Sequence, residues 1–252
     1  MSPLALALVS LASFAGGAIN SVAGGGTLLA FPAAMAAGLS PLVANATNAV
    51  AMTPASLASA YAYRAELRES KRWLSLLFVP SIAGALVGAW LLLETPERWF
   101  SKIVPFLVLG ATALLLWQNV RPAVASDAPT ERKHRAFAVV VQFFISLYGG
   151  YFGAGMGILM LAGFSLLDLG DLHKKNAVKS VLGAFINGAA TASFVWSGKI
   201  DAQLAIAMGI SATLGGFLGA AGARKVSPKI LRWVVIAIGL SLSLVLGVKS
   251  FA

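Results

Sequence analysis

Ala23-Gly24-Gly25-Gly26-Thr27-Leu28-Leu29 is written a second time as Ala154-Gly155-Met156-Gly157-Ile158-Leu159-Met160. The match runs outward at constant spacing. Asn45-Ala46 recurs as Asn176-Ala177, and Gly84 and Gly88 recur as Gly215 and Gly219 (155 − 24 = 176 − 45 = 215 − 84 = 131). No gap interrupts it. Internal duplication in an apolar chain is the mark of secondary transporters, whose two halves build one substrate site between them. A soluble repeat array would need three or more copies at a shorter period. Transport is therefore the first function to consider.

Composition leads to the membrane independently. Hydrophobic residues make up 58% and charged residues 11% of the 252, with a mean hydropathy of +0.84. A soluble domain carries roughly 25% charged residues. The net charge of +10 does not imply nucleic acid as a partner. Its basic residues gather at the ends of apolar segments, as cytoplasmic loops require. Cysteine is absent, which removes thiol redox chemistry and thiolate metal sites. The two histidines, His134 and His173, belong to no metal-ligand spacing, so neither a metal nor another cofactor is expected. Leu4–Ala15 lacks the basic n-region of a signal peptide and has a counterpart inside the second copy, so it reads as a retained membrane helix.

A transmembrane helix needs about 20 apolar residues. Segments 4–22, 41–63, 73–93 and 99–119 meet that length in the first copy, and 136–153, 175–197, 202–223 and 229–248 in the second. Two shorter pieces, 27–38 and 158–167, each follow a glycine cluster and reach only halfway across the hydrocarbon. The expected fold is an all-α integral membrane protein with about eight long transmembrane helices and two glycine-hinged half-helices. It forms one transport domain over 1–252, with repeat one at 4–119, a cytoplasmic linker at 120–135 and repeat two at 136–250.

Charge placement orients the copies. Arg64, Arg68, Lys71 and Arg72 mark one cytoplasmic loop, the linker a second, and Arg224, Lys225, Lys229 and Arg232 a third. All three fall on one side if the broken segment 136–167 enters and returns or crosses in two pieces. The two repeats are then inverted. Ser40-Pro41 and Asp171 read as helix starts. Gly84-x-x-x-Gly88 and Gly215-x-x-x-Gly219 read as close helix packing. Tyr61, Tyr63, Trp73, Trp99 and Trp117 read as interfacial anchors.

Candidate binding groups gather at the glycine breaks. A half-helix starting there presents backbone N–H groups and a partial positive charge, suited to an anion. Gly24, Gly25, Gly26 and Thr27 form one such terminus, and Gly155 and Gly157 the other. Broken helices near mid-membrane are where transporters bind substrate. Asn45, Asn48 and Ser56 share a helix face, as do Asn176, Lys179 and Asn187 at the same spacing. Asn20 and Tyr151 align just before the breaks. Lys179 inside a span costs about 2.5–3.5 kcal/mol unless it meets a partner or water. Either a bound anion or snorkelling to the cytoplasmic surface would satisfy it.

The runs from Ala23 to Pro32, Gly38 to Pro41 and Ala44 to Asn48 resemble the TauE/SafE family of membrane proteins. The shared pattern is a glycine-rich stretch, an apolar segment with proline, a Gly-Leu-x-Pro turn and a helix of small residues with Thr and Asn. The second copy departs from it, with Met156 among the glycines and Val178 and Lys179 in place of Thr and Asn. The resemblance implies an exporter of sulfite or organosulfonate anions in a bacterial inner membrane, coupled to protons or to the membrane potential. No Asp or Glu lies well inside a span, so Lys179 or the protonated anion is the remaining proton carrier. An anion channel using the same donors is the alternative. An enzyme is not expected, since Ser10, Ser13, Ser21 and Ser193 have no histidine within helical reach. The expected partners are the bilayer and a small anion.

Overall fold

The computed structural model describes residues 2–120, 132–165, 167, 169–223 and 228–251, and every regular element among them is a helix. The first copy contains α1 (Pro3–Val22), the short α2 (Thr27–Ala36), α3 (Pro41–Ala62), the one-turn α4 (Arg64–Arg68), α5 (Lys71–Glu94) and α6 (Glu97–Val120). The second contains α7 (Arg132–Tyr151), the short α8 (Met156–Phe164), α9 (Leu172–Trp196), α10 (Ala202–Gly222) and α11 (Pro228–Phe251). Each predicted long segment falls on one of these helices. Among the described residues, five helices (α1, α5, α6, α9 and α10) are long and apolar enough to cross a membrane. α3 is as long, at 22 residues, but Asn45, Thr47, Asn48, Thr53, Ser56 and Ser59 dilute its apolar character.

The distribution of side chains is that of a protein dissolved in lipid. Large apolar residues face outward, among them Leu8, Trp90, Phe106, Ile206 and Leu244. Asn45, Thr47, Asn48, Ser56, Gln142, Asn176, Lys179 and Asn187 are all buried. Polar groups in a bilayer turn toward the bundle interior because hydrocarbon offers them no partner.

The helices of the two copies pack crosswise: α1 lies along α10, and α7 along α5. Glycines make this possible. A Cβ on Gly84 or Gly88 would collide with the α7 carbonyls of Phe143 or Leu147. One on Gly215 would collide with Phe14 of α1, and one on Gly219 would lie 2.6 Å from Ala18. Both G-x-x-x-G motifs thus serve helix contact.

Helix ends sort onto two faces. On one, the end of α3, α4 and the starts of α5 and α9 meet, with Lys174 paired to Glu69 at 2.5 Å. On the other, the Asp201 amide donates to Thr47 Oγ1 at 3.0 Å, and the Leu42 amide donates to Glu97 Oε1 at 3.1 Å. α1 ends toward the first, basic face, where Tyr63 donates to the Ser21 carbonyl. α7 ends toward the opposite face, where the Tyr151 hydroxyl meets Thr95 at 3.4 Å.

Several expectations change. α7 begins at Arg132, so Arg132–Arg135 form its first turn and do not close the linker. α8 starts at Met156, two residues before the predicted 158, because Gly155 already provides its N-cap in a left-handed conformation. Ser40 occupies the N-cap of α3 without a side-chain bond; Glu97 caps that helix from α6 instead. Asp171 caps α9 as expected, accepting from the Lys174 amide at 2.9 Å. Tyr61, Trp99 and Trp117 are exposed, but Tyr63 and Trp73 are buried among neighbouring helices and are not surface anchors. The body of the linker lies outside the described residues, as do Arg224 and Lys225 of the third basic loop.

Candidate functional site

Each glycine break contains two glycines with positive φ. After α1, Gly24 and Gly25 take φ values of 76° and 140°, and Gly26 caps α2. After α7, Gly153 and Gly155 both take φ of 77°. Such backbone angles are open to glycine at little cost and strain other residues. The breaks touch each other in the interior. A Cβ on Gly24 would lie 2.6 Å from the Gly157 carbonyl carbon, and one on Gly157 would lie 2.9 Å from the Gly24 Cα. Met156 is buried and packs on Gly149 of α7.

Several amides that follow the glycines are engaged within the turns. Leu28 donates to Gly25 at 2.9 Å, and Leu29 and Ala30 donate to Gly26 at 3.0 and 3.2 Å. Met156 donates to Gly153 at 3.1 Å, and Ile158 and Leu159 donate to Gly155 at 2.9 and 3.1 Å. Half-helix termini of this kind leave fewer amides for a ligand than a bare helix start would.

The repeated asparagines close the broken helices, each in the other copy. Asn45 Nδ2 donates to the Tyr151 carbonyl at the end of α7, at 3.1 Å. Asn176 Nδ2 donates to the Val22 carbonyl at the end of α1, at 3.0 Å. Terminal carbonyls have no intrahelical donor and, at membrane depth, no water, so a side chain must supply one.

Lys179 extends this arrangement. Its side chain is only 3% exposed, which excludes snorkelling. Its ammonium donates to the Asn20 carbonyl at 2.6 Å, Asn176 Oδ1 at 2.7 Å and the Ser21 carbonyl at 3.1 Å. The charge thus sits at the negative end of α1, where the helix dipole favours a cation. Protein oxygens supply the compensation that the sequence reading sought from an anion or from the surface.

Around the first break, Asn20 Oδ1 accepts from the Gly25 amide at 3.4 Å, and Asn48 Nδ2 donates to Thr27 Oγ1 at 3.2 Å. Asn48 Oδ1 is buried without a hydrogen-bond partner among the described residues. A Cβ on Gly157 would lie 3.3 Å from Lys179 Cδ and 3.6 Å from Asn20 Oδ1. The fold therefore gathers Asn20, Gly24–Gly26, Thr27, Asn48, Gly157 and Lys179, with Asn176 beside them. Ser56 and Asn187 are buried farther along α3 and α9, Ser56 facing Gly183. Tyr151 turns to Thr95 and Phe100, and Gly155 packs on Ala111 of α6.

Residues 9–246 match the family model described as "Sulfite exporter TauE/SafE". The chain belongs to the TauE/SafE family. It is 28% identical over 242 residues to the probable membrane transporter protein ORF9 of a Sinorhizobium species, covering 95% of this chain and 91% of that one. It is 28% identical over 248 residues to the probable membrane transporter protein YfcA of Escherichia coli K12, covering 96% and 90%. It is 32% identical over 221 residues to a probable membrane transporter protein of Haemophilus influenzae, covering 85% and 84%. No solved structure matches it. The protein is accordingly a multi-pass membrane transporter of the TauE/SafE family.

One feature of this TauE/SafE chain escapes sequence reading. A cavity of about 460 Å³ opens on the basic face, lined by Tyr63, Arg64, Glu66, Arg68, His173 and Ala221 among others. Its residues come from α3, α4, α9 and α10. The only sequence signal was the run from Arg64 to Arg72, read for topology alone.

Proposed function

We propose that this TauE/SafE protein is a secondary transporter that exports small sulfur-containing anions, such as sulfite or sulfoacetate. The observation that carries the reading is the family match over residues 9–246, joined to the meeting of two broken helices at Gly24 and Gly157. The substrate is held near mid-membrane between two inverted repeats. Supporting the inversion, α1 and α7 end toward opposite faces and each packs on a helix of the other copy. Asn20, Thr27 and Asn48 face the substrate beside the first break, where Asn48 Oδ1 has no protein donor and suits a protonated oxyanion or its water. Asn45, Asn176 and Lys179 hold the breaks in place, so their effect on substrate is through position. Gly24, Gly25, Gly26, Gly155 and Gly157 form the hinge, while Tyr151, Ser56 and Asn187 line the route beyond it.

Direct backbone contact between the breaks leaves no passage there, which favours alternating access over an open channel. With the buried cation already engaged by protein oxygens, the membrane potential acting on the anion is the driving force. The test is efflux of ³⁵S-labelled sulfite and sulfoacetate from proteoliposomes. Saturable flux with counterflow supports the reading, and flux rising linearly with concentration supports a channel. Absence of flux with either anion removes this substrate class.

A further inference from the structure

The cavity on the basic face has walls of distinct chemistry. α4 contributes Arg64, Glu66 and Arg68, α9 contributes His173, and α10 contributes Ala220 and Ala221. Two arginines and one glutamate therefore line it, and the described α10 residues of the lining are uncharged. Arg64 is held in place, with Nη1 donating to the Tyr61 carbonyl at 3.2 Å and the guanidinium 4.8 Å over the Tyr61 ring. His173 Nδ1 is buried in the wall and has no hydrogen-bond partner among the described residues. The nearby Glu69 carboxylate is occupied by Lys174.

The position of the cavity matters as much as its lining. Tyr63 forms its inner wall, with its ring 6.3 Å from that of His173 and its hydroxyl donating to the Ser21 carbonyl at 3.5 Å. That carbonyl also accepts from Lys179. A single residue thus separates the cavity from the end of the broken helix α1. A volume of about 460 Å³ is ample for a small sulfonate and lies in the usual range of ligand pockets.

We propose that this cavity is a second anion site, which recruits a sulfonate or sulfur oxyanion from the basic face before it reaches the helix breaks. Arg64 and Arg68 capture the tetrahedral oxyanion, for which a planar, multiply donating cation is better suited than a lysine. His173 forms part of the wall beside them. Tyr63 closes the inner end. This deepens the reading of the protein as a sulfur-anion transporter and rests on it.

The chain has no cysteine, so Ala221→Cys places a unique thiol in the exposed part of the lining. Full-length protein in phosphatidylcholine nanodiscs is treated with an anionic sulfonatoethyl methanethiosulfonate and with its trimethylammonio counterpart. The anionic reagent should react faster, and methanesulfonate should slow it more than chloride does at equal ionic strength. In Ala221→Cys with Arg64→Gln and Arg68→Gln, the anionic preference should fall about tenfold, the scale of cleft focusing, and methanesulfonate protection should disappear. Both arginines are exposed, and an unchanged melting temperature confirms that the variant folds. An unaltered preference in that variant overturns the proposal, as does equal protection by chloride. Slowing of both reagents in phosphatidylglycerol nanodiscs without added anion also overturns it, since the surface potential slows only the anionic one and a lipid headgroup is then the occupant. Sulfoacetate efflux separates the two readings. Flux without methanesulfonate protection defeats the cavity site alone, whereas protection without flux defeats the transport substrate and leaves an anion site.

Discussion

Replacing Lys179 by methionine shortens the side chain by one atom and removes its charge and three donors. Asn20 O, Ser21 O and Asn176 Oδ1, now at 2.6–3.1 Å from the ammonium, lose that partner in a site only 3% exposed. A buried acceptor stripped of its donor costs about 1–3 kcal/mol, so Asn20 O and Asn176 Oδ1 together cost about 5 kcal/mol, and Ser21 O, which keeps the Tyr63 hydroxyl, adds about 1 kcal/mol, for about 6 kcal/mol. Against this, the variant no longer inserts an ammonium into the membrane, a relief of about 2.5–3.5 kcal/mol. The difference is a destabilisation of about 3 kcal/mol. For a chain of this size each kcal/mol moves the melting temperature by about 2–4 °C, so Lys179→Met should melt about 6–12 °C lower. The assay is thermal unfolding of detergent-purified protein without any anion. In Lys179→Ala, which does vacate the oxygen cage, methylammonium should restore part of the loss, and tetramethylammonium should not. A methionine variant melting within about 2 °C of the parent, with no response of the alanine variant to methylammonium, would show that the three oxygens do not depend on this charge.

The same geometry sets other expectations. Gly88→Ala and Gly215→Ala should each lower the melting temperature through collision with Leu147 of α7 and Phe14 of α1, whereas Gly110→Ala, with open space around it, should be neutral or raise stability by up to about 1 kcal/mol. Gly24→Ala meets both a positive φ and the Gly157 backbone, so sulfoacetate efflux should be lost more fully than protein yield. Asn45→Leu and Asn176→Leu each strip a donor from a buried helix end and should cost about 1–3 kcal/mol in thermal unfolding; retention of full stability in both would mean that those carbonyls find other donors. Glu97→Gln removes a charged cap from the Leu42 amide and should cost about 1 kcal/mol, measured the same way.

Some of this protein could be read directly from its residues. Hydropathy located the long segments because a lipid-facing helix must be apolar along its whole length. The breaks at Gly24–Gly26 and Gly153–Gly157 were visible because breaking a helix at depth calls for backbone angles that glycine adopts freely. Asp171 was legible as a cap because its partner, the Lys174 amide, lies three residues away. The spacing of Asn45 and Asn176 revealed a repeated part, but its nature depended on partners at Tyr151 and Val22, in the opposite copy.

Periodicity, hydropathy and turn chemistry are local quantities, so the sequence by itself determined the membrane class and the positions of the glycine breaks. Tertiary structure decided what each buried polar group answers to. Lys179 ends at the carbonyls of α1, more than a hundred residues away, Glu97 caps α3 in place of Ser40, and the arginines of α4 join His173 around a cavity. A buried donor or charge must find its complement wherever packing brings one. That partner is set by which helices lie side by side, and its distance along the chain carries no signal of it.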